Sequence, residues 1–159
     1  MSSEKNEADI SECHKKMAID MFNKTWELLD KKNRTIEEDE TMVHRAHASR
    51  CHWGVVGEEI NFQRGEWQLA RVYSVLKRPQ QALNYAKLCL QRTEDNNFEG
   101  FDRAYAYEAM ARASAIAGRK EEFEKYYKLA REAAEKIEKK EDRDFFLSDL
   151  EAGEWGDMK

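Results

Sequence analysis

Two sets of side chains in this sequence have the types and spacing that chemistry requires. The first lies between positions 40 and 53. At about 100° per residue on a helix, Glu40, His44, His47 and Cys51 fall within roughly 60° of one another. Carboxylate, imidazole and thiolate are the ligands that zinc and other transition metals take, and His44 and His47, three apart, can share one ion. Met42, Ala46, Ser49 and Trp53 occupy the opposite side and read as the core face. The stripe still needs a ligand from a second helix. His14 is the histidine outside this helix that could approach through the fold, whereas His52 points roughly 80° from His44 and belongs to another surface. The same stripe also has a structural reading, in which the histidines hydrogen-bond to the backbone or carboxylates of a neighbouring helix.

The second set is a pair of stripes. Arg64, Trp67, Arg71 and Val75 recur at helical spacing, and Tyr105, Glu108, Arg112 and Ile116 repeat the arrangement 41 residues later. A guanidinium offers paired hydrogen bonds in a fixed fork, which suits a carboxylate, and aromatics supply rigid contact area. The competing reading is intramolecular: Arg71 or Arg112 pairs with Glu58, Glu66 or Glu108, and Trp67 fills core. No Gly-rich phosphate loop, Gly-x-Ser-x-Gly elbow or His-Glu-x-x-His motif is present.

The element that must position these stripes is a doubled helix–turn–helix between Gly65 and Ala130. Ala70 aligns with Ala111, Ala82 with Phe123, Ala86 with Tyr127 and Cys89 with Ala130, and the first helix of each copy stops near a breaker, Pro79 or Gly118. These residues resemble the tetratricopeptide (TPR) repeat family, whose unit is about 34 residues with small and aromatic residues on both helices. Leu69, Ala70 and Tyr73 match its first helix, and Ala82, Ala86 and Cys89 its second. Ser114 stands where the family usually has tyrosine, Cys89 where it has alanine, the closing proline is missing, and the 41-residue period is long. The resemblance implies an all-α fold, a right-handed superhelix of stacked antiparallel hairpins. It also implies that the outer side of each first helix lines a concave groove for an extended peptide. Arg64, Trp67, Arg71, Tyr105, Glu108 and Arg112 would then be the groove residues, and the partner a protein or peptide with an acidic side chain or C-terminal carboxylate.

About seven helices are expected in one domain: a divergent hairpin over 8–57, repeats over 58–93 and 98–140, and a capping helix over 143–152. Residues 1–7 are polar and read as frayed. Thr35 and Glu38 have capping-box spacing, so a second helix starts there, and Gly54 to Gly57 closes or kinks it. Pro79 suits the first turn of the fourth helix. The sixth is expected over 120–139, and Phe145, Phe146 and Leu150 read as the cover for the open end that every solenoid must cap.

The totals agree with this frame. A chain of 159 residues with 37% charged side chains, one proline and seven glycines favours helix over sheet. The net charge of −5 argues against nucleic-acid or anionic-membrane binding. Three cysteines without Cys-x-x-Cys spacing read as reduced thiols, hence a cytoplasmic protein. The expectation is a non-enzymatic protein- or peptide-binding adaptor without a cofactor. The alternatives are a metal-binding or His-dependent enzyme or sensor at Glu40, His44, His47 and Cys51, and a self-associating homodimer.

Overall fold

The computed structural model describes residues 1–158. Seven α-helices follow in chain order: α1 (Ser2–Leu29), α2 (Ile36–Val56), α3 (Glu59–Val75), α4 (Pro79–Asp95), α5 (Phe101–Ile116), α6 (Lys120–Ala134) and α7 (Lys140–Glu151). No strand occurs among the described residues. Consecutive helices pair antiparallel as α1–α2, α3–α4 and α5–α6; α2 packs on α3, α4 on α5, and α3 on α5. No helix among the described residues is long and apolar enough to cross a membrane.

Local chemistry sets these boundaries. Thr35 Oγ1 accepts from the Glu38 N–H at 3.1 Å while Glu38 Oε2 accepts from the Thr35 N–H at 2.9 Å, closing the expected capping box. Glu58 and Asn61 form a second box that fixes the start of α3. Pro79 occupies the first turn of α4, where a missing N–H costs nothing. Gly65 lies inside α3 because a Cβ there would meet Arg50 Cδ of α2 at 2.9 Å.

Small residues let the hairpins approach. Ala70, Ala82, Ala86, Cys89, Ala111 and Ala130 are fully buried, so the aligned positions form the contact between helices. Two clusters result. One gathers Met42, Leu69, Val72 and Leu83 between the first two hairpins, and the other gathers Phe123, Ile137, Phe146, Leu150 and Trp155 at the C-terminal end.

Three boundaries differ from expectation. α1 begins at Ser2 rather than near residue 8, with Glu4 in its positively polarised first turn. α2 closes within the expected Gly54–Gly57 stretch, ending at Val56 with Gly57 as its cap. α6 ends at Ala134 rather than 139, because the chain turns there to bury Ile137 against the C-terminal cluster, and α7 accordingly starts at Lys140. In α7, Phe146 and Leu150 are buried as a cover, whereas Phe145 is 64% exposed.

Candidate functional site

The potential metal ligands of α2 go to separate partners. Glu40 accepts from Arg78 Nη2 at 2.6 Å, and His47 Nε2 meets the Tyr73 hydroxyl at 2.7 Å with its ring edge-on to Tyr85. His44 and Cys51 face solvent. Burial, with the His44 charge behind it, lowers the His47 pKa and favours the neutral ring. His14 does reach α2, but it meets His52, Nδ1 to Nδ1 at 2.8 Å. Among the described residues no three His, Cys, Asp or Glu side chains converge as metal ligands.

The stripes of α3 and α5 do converge. Glu108 is fully buried and sits among Trp67, Arg71 and Arg112. Its Oε2 accepts from Trp67 Nε1 at 3.3 Å, its Oε1 from Arg71 Nη2 at 3.3 Å, and Arg112 Nε contacts the same carboxylate one helical turn on. A second carboxylate, Asp149 of α7, accepts from Arg71 Nη2 at 2.7 Å and from the Tyr105 hydroxyl at 3.1 Å. Its backbone carbonyl accepts from Arg112 Nη2 at 3.3 Å. Two guanidinium ions and two carboxylates therefore neutralise one another across α3, α5 and α7.

The titration of these groups follows from that packing. Burial opposes the charge on Asp149, but the charge and hydrogen bond of Arg71, with Arg112 added, outweigh it and hold the carboxyl below its ordinary range. Burial first, and the Asp149 charge next, push the Tyr105 hydroxyl up, so it remains a donor. Burial and the Arg71 charge pull the Arg112 pKa down to about 9, which leaves it charged at neutral pH.

Around this cluster runs a channel floored by α3 and α5 and walled by α1 and α7. On one side of the Arg71–Asp149 bridge lies an aromatic chamber of about 730 Å³, built from Phe22 and Trp26 of α1, Trp67 of α3, Phe101 and Tyr105 of α5, and Phe145 of α7. Trp26 and Trp67 lie 5.4 Å apart, and Trp67 meets Tyr105 edge-on at 5.0 Å. Arg64 stands at its rim, held by both oxygens of Asp102 at 3.0 and 3.2 Å.

On the other side lies a charged chamber of about 620 Å³, bordered by Lys31, Lys32, Arg34, Lys77 and Arg112 and by the carboxylates of Asp30, Asp149 and Glu154. The last turns of α1, α3, α5 and α7 meet here through Leu29, Val75, Ile116 and Ala152. Each helix C-terminus carries about half a negative charge, so much of this positive charge answers the helix ends. Arg34 does so directly, donating to the Leu28 and Lys31 carbonyls. Lys32 and Lys77 make no ion pair among the described residues and are exposed in the lining, with Asp30 and Glu154 in the same chamber.

The six groove residues read from the sequence thus lie along one channel, but in different roles. Trp67 and Arg64 line open space; Tyr105 is covered by Phe146 and Asp149 of α7, and Glu108 is enclosed by Trp67, Arg71 and Arg112; Arg71 and Arg112 are engaged by internal carboxylates. The sequence reading missed Phe22, Trp26, Phe101 and Asp149. A signal existed for Trp26 and Phe101, each an aromatic on the first helix of a hairpin, but none for Asp149, whose role depends on where α7 docks. Comparisons with protein-family models, with curated proteins and with solved structures each find no match.

Proposed function

We propose that this protein is a non-enzymatic recognition module, similar in kind to tetratricopeptide adaptors, that holds an extended segment of a protein partner in the channel between α1 and α7. The observation that carries the reading is the aromatic chamber. Its volume suits one or two large side chains, and pockets of this size with a few fixed polar groups are where ligands settle. An apolar or aromatic side chain of the partner enters between Trp26, Trp67 and Phe145. An acidic group further along the same segment lies toward Lys32 and Lys77, because Arg71 and Arg112 are already matched by Glu108 and Asp149. Support for the repeat kinship comes from the turns: Lys77 and Gly118, 41 residues apart, hold the same left-handed conformation at φ 58° and 71°.

The test is a peptide array probed with the wild-type protein, followed by titrations read through tryptophan fluorescence. Phe145→Glu puts a charge at the rim without touching the core, and should weaken binding by tenfold or more. Leu88→Glu, on the exposed side of α4, should leave it unchanged. Equal binding by wild type and Phe145→Glu would remove the channel from consideration.

A further inference from the structure

The aromatic chamber holds a polar atom that its walls do not use. Gln63 of α3 is 1% exposed and borders the chamber. Its Nε2 donates to Thr93 Oγ1 of α4 and to the Asp102 carbonyl of α5, both at 3.1 Å. Neither partner allows the amide to turn over. A backbone carbonyl only accepts, and Thr93 Oγ1 already donates to the Cys89 carbonyl at 2.7 Å. The nitrogen is therefore fixed in the wall, and Oε1 accepts from no donor among the described residues. A buried acceptor in that state is disfavoured, and a ligand that donates to it removes the penalty.

The surroundings limit the chemistry of that donor. Phe22, Trp67, Phe101 and Tyr105 present rings to the chamber. The charged groups of the lining pair with one another, Arg64 with Asp102 and Arg71 with Asp149. Asp30 borders both chambers together with Arg71, about two turns of α3 beyond Gln63. A lysine or arginine donor would thus enter beside the Arg64–Asp102 pair with no carboxylate left for it, and a buried unpaired charge is strongly disfavoured. A serine or an amide would donate but leave the rings uncovered. A phenylalanine or leucine would cover the rings and strand Oε1. Tyrosine and tryptophan meet both demands, each joining a rigid ring to one donor at its edge. Building on the proposed role of the channel in binding, we infer that the chamber selects a tyrosine or tryptophan of the partner, whose O–H or N–H donates to Gln63 Oε1. Gln63 sets the specificity, and Thr93 and the Asp102 carbonyl hold it in orientation.

p-Cresol, skatole and toluene reproduce the tyrosine, tryptophan and phenylalanine side chains. Each is titrated into the isotope-labelled protein and followed by NMR at the indole N–H signals of Trp26 and Trp67. p-Cresol and skatole should bind about fivefold or more tightly than toluene, because toluene leaves the buried acceptor unpaired. p-Methylanisole keeps the oxygen of p-cresol without its proton and should lose the same factor. Gln63→Met keeps the volume and removes the acceptor, so p-cresol and toluene should then bind within about twofold of each other. A preference for p-cresol that persists in this variant, with its helical circular dichroism intact, overturns the role of Gln63. Should the variant not fold, p-methylanisole decides on the wild type alone, and its binding as tightly as p-cresol overturns the inference. Equal binding of all four compounds overturns it too, while leaving the chamber a binding site. Binding of none also overturns it, and the peptide titrations with Phe145→Glu then judge the channel separately.

Discussion

The stripe of α3 and the stripe of α5 occupy matching positions in consecutive hairpins, yet Arg64 and Trp67 border open space where Tyr105 and Glu108 are buried, while Arg71 and Arg112 are alike. Trp67 borders the open chamber; Glu108, its counterpart 41 residues on, is fully buried. Glu108 is enclosed by Trp67, Arg71 and Arg112, and at Tyr105, one turn earlier, the difference is made by the next element. α7 lies against α5, placing Phe146 edge-on to Tyr105 at 4.7 Å and Asp149 on Arg71, whereas only the margin of α1 reaches α3, through Trp26 and Phe22. The lesson is that a repeat position does not decide whether it is groove or core. The neighbouring first helix decides, by how far it closes over the stripe.

The largest effect that would sharpen this contrast comes from the buried carboxylate. Glu108→Ala leaves Arg71 and Arg112 facing each other with only Asp149 between them, an uncompensated buried charge. Breaking such a pair from one side costs about 3–5 kcal/mol. Trp67→Ala at the matching position removes a partly buried ring, with its contacts to Trp26 and Tyr105, and one hydrogen bond, and should cost about 2 kcal/mol. Urea unfolding of the two variants measures both; similar losses would mean that Glu108 is not the more costly of the two positions to empty, and that its burial between the arginines does not set it apart from Trp67.

Asp149 gives a smaller effect with a pH signature. Its carboxyl is held below the ordinary range in the folded protein, so the unfolded chain takes up its proton first as pH falls. The stabilisation is therefore fully present above about pH 4, the value for a free aspartate, and is lost as pH drops through the lower folded value. Asp149→Asn should lower stability at pH 7 by about 1.5–3 kcal/mol, as expected for hydrogen bonds to charged partners. The gap between wild type and variant should then narrow below pH 4. Thermal unfolding at pH 7 and pH 3 reads this directly, and a constant gap would detach Asp149 from the arginines.

Much of this arrangement was legible in the residues themselves. Small side chains at Ala70, Ala82, Ala86 and Ala111 announced close helix contacts, and Thr35 with Glu38 and Pro79 marked helix starts, because each is decided by a local steric or hydrogen-bond requirement. The competing ion-pair reading of Arg71 and Arg112 named Glu108, and the pairing with Glu108 is present. Asp149 was beyond reach, since its partners lie 37 and 78 residues away and depend on where α6 stops. That stop was misplaced for the same reason: Lys136, Glu138 and Lys139 are good helix formers, and only the burial of Ile137 by tertiary packing breaks the helix. Phe145 and Phe146 looked equivalent as cover residues until the helix face was fixed.

The smallest effect compares the hairpins at their turns. Leu76 and Ala117 end α3 and α5, and the next residue of each, Lys77 or Gly118, has positive φ. The hydrogen bonds match: Arg78 N–H reaches the Tyr73 carbonyl and Arg119 N–H the Ser114 carbonyl, both at 2.9 Å, with the Lys77 and Gly118 N–H groups closing the inner bonds at 3.1 Å. This is the Schellman ending, in which glycine is favoured because a Cβ is strained at left-handed φ. The same turn is thus built once with the favoured residue and once without it. Lys77→Gly should raise stability by up to about 1 kcal/mol, since the strain removed exceeds the added flexibility of the unfolded chain. Gly118→Ala should lower it by about 1 kcal/mol, although nothing lies within 4 Å of the added Cβ. Opposite signs at equivalent positions would tie both effects to backbone conformation; a loss in both would mean that Lys77 is kept for its charge at the converging helix ends rather than tolerated in its turn.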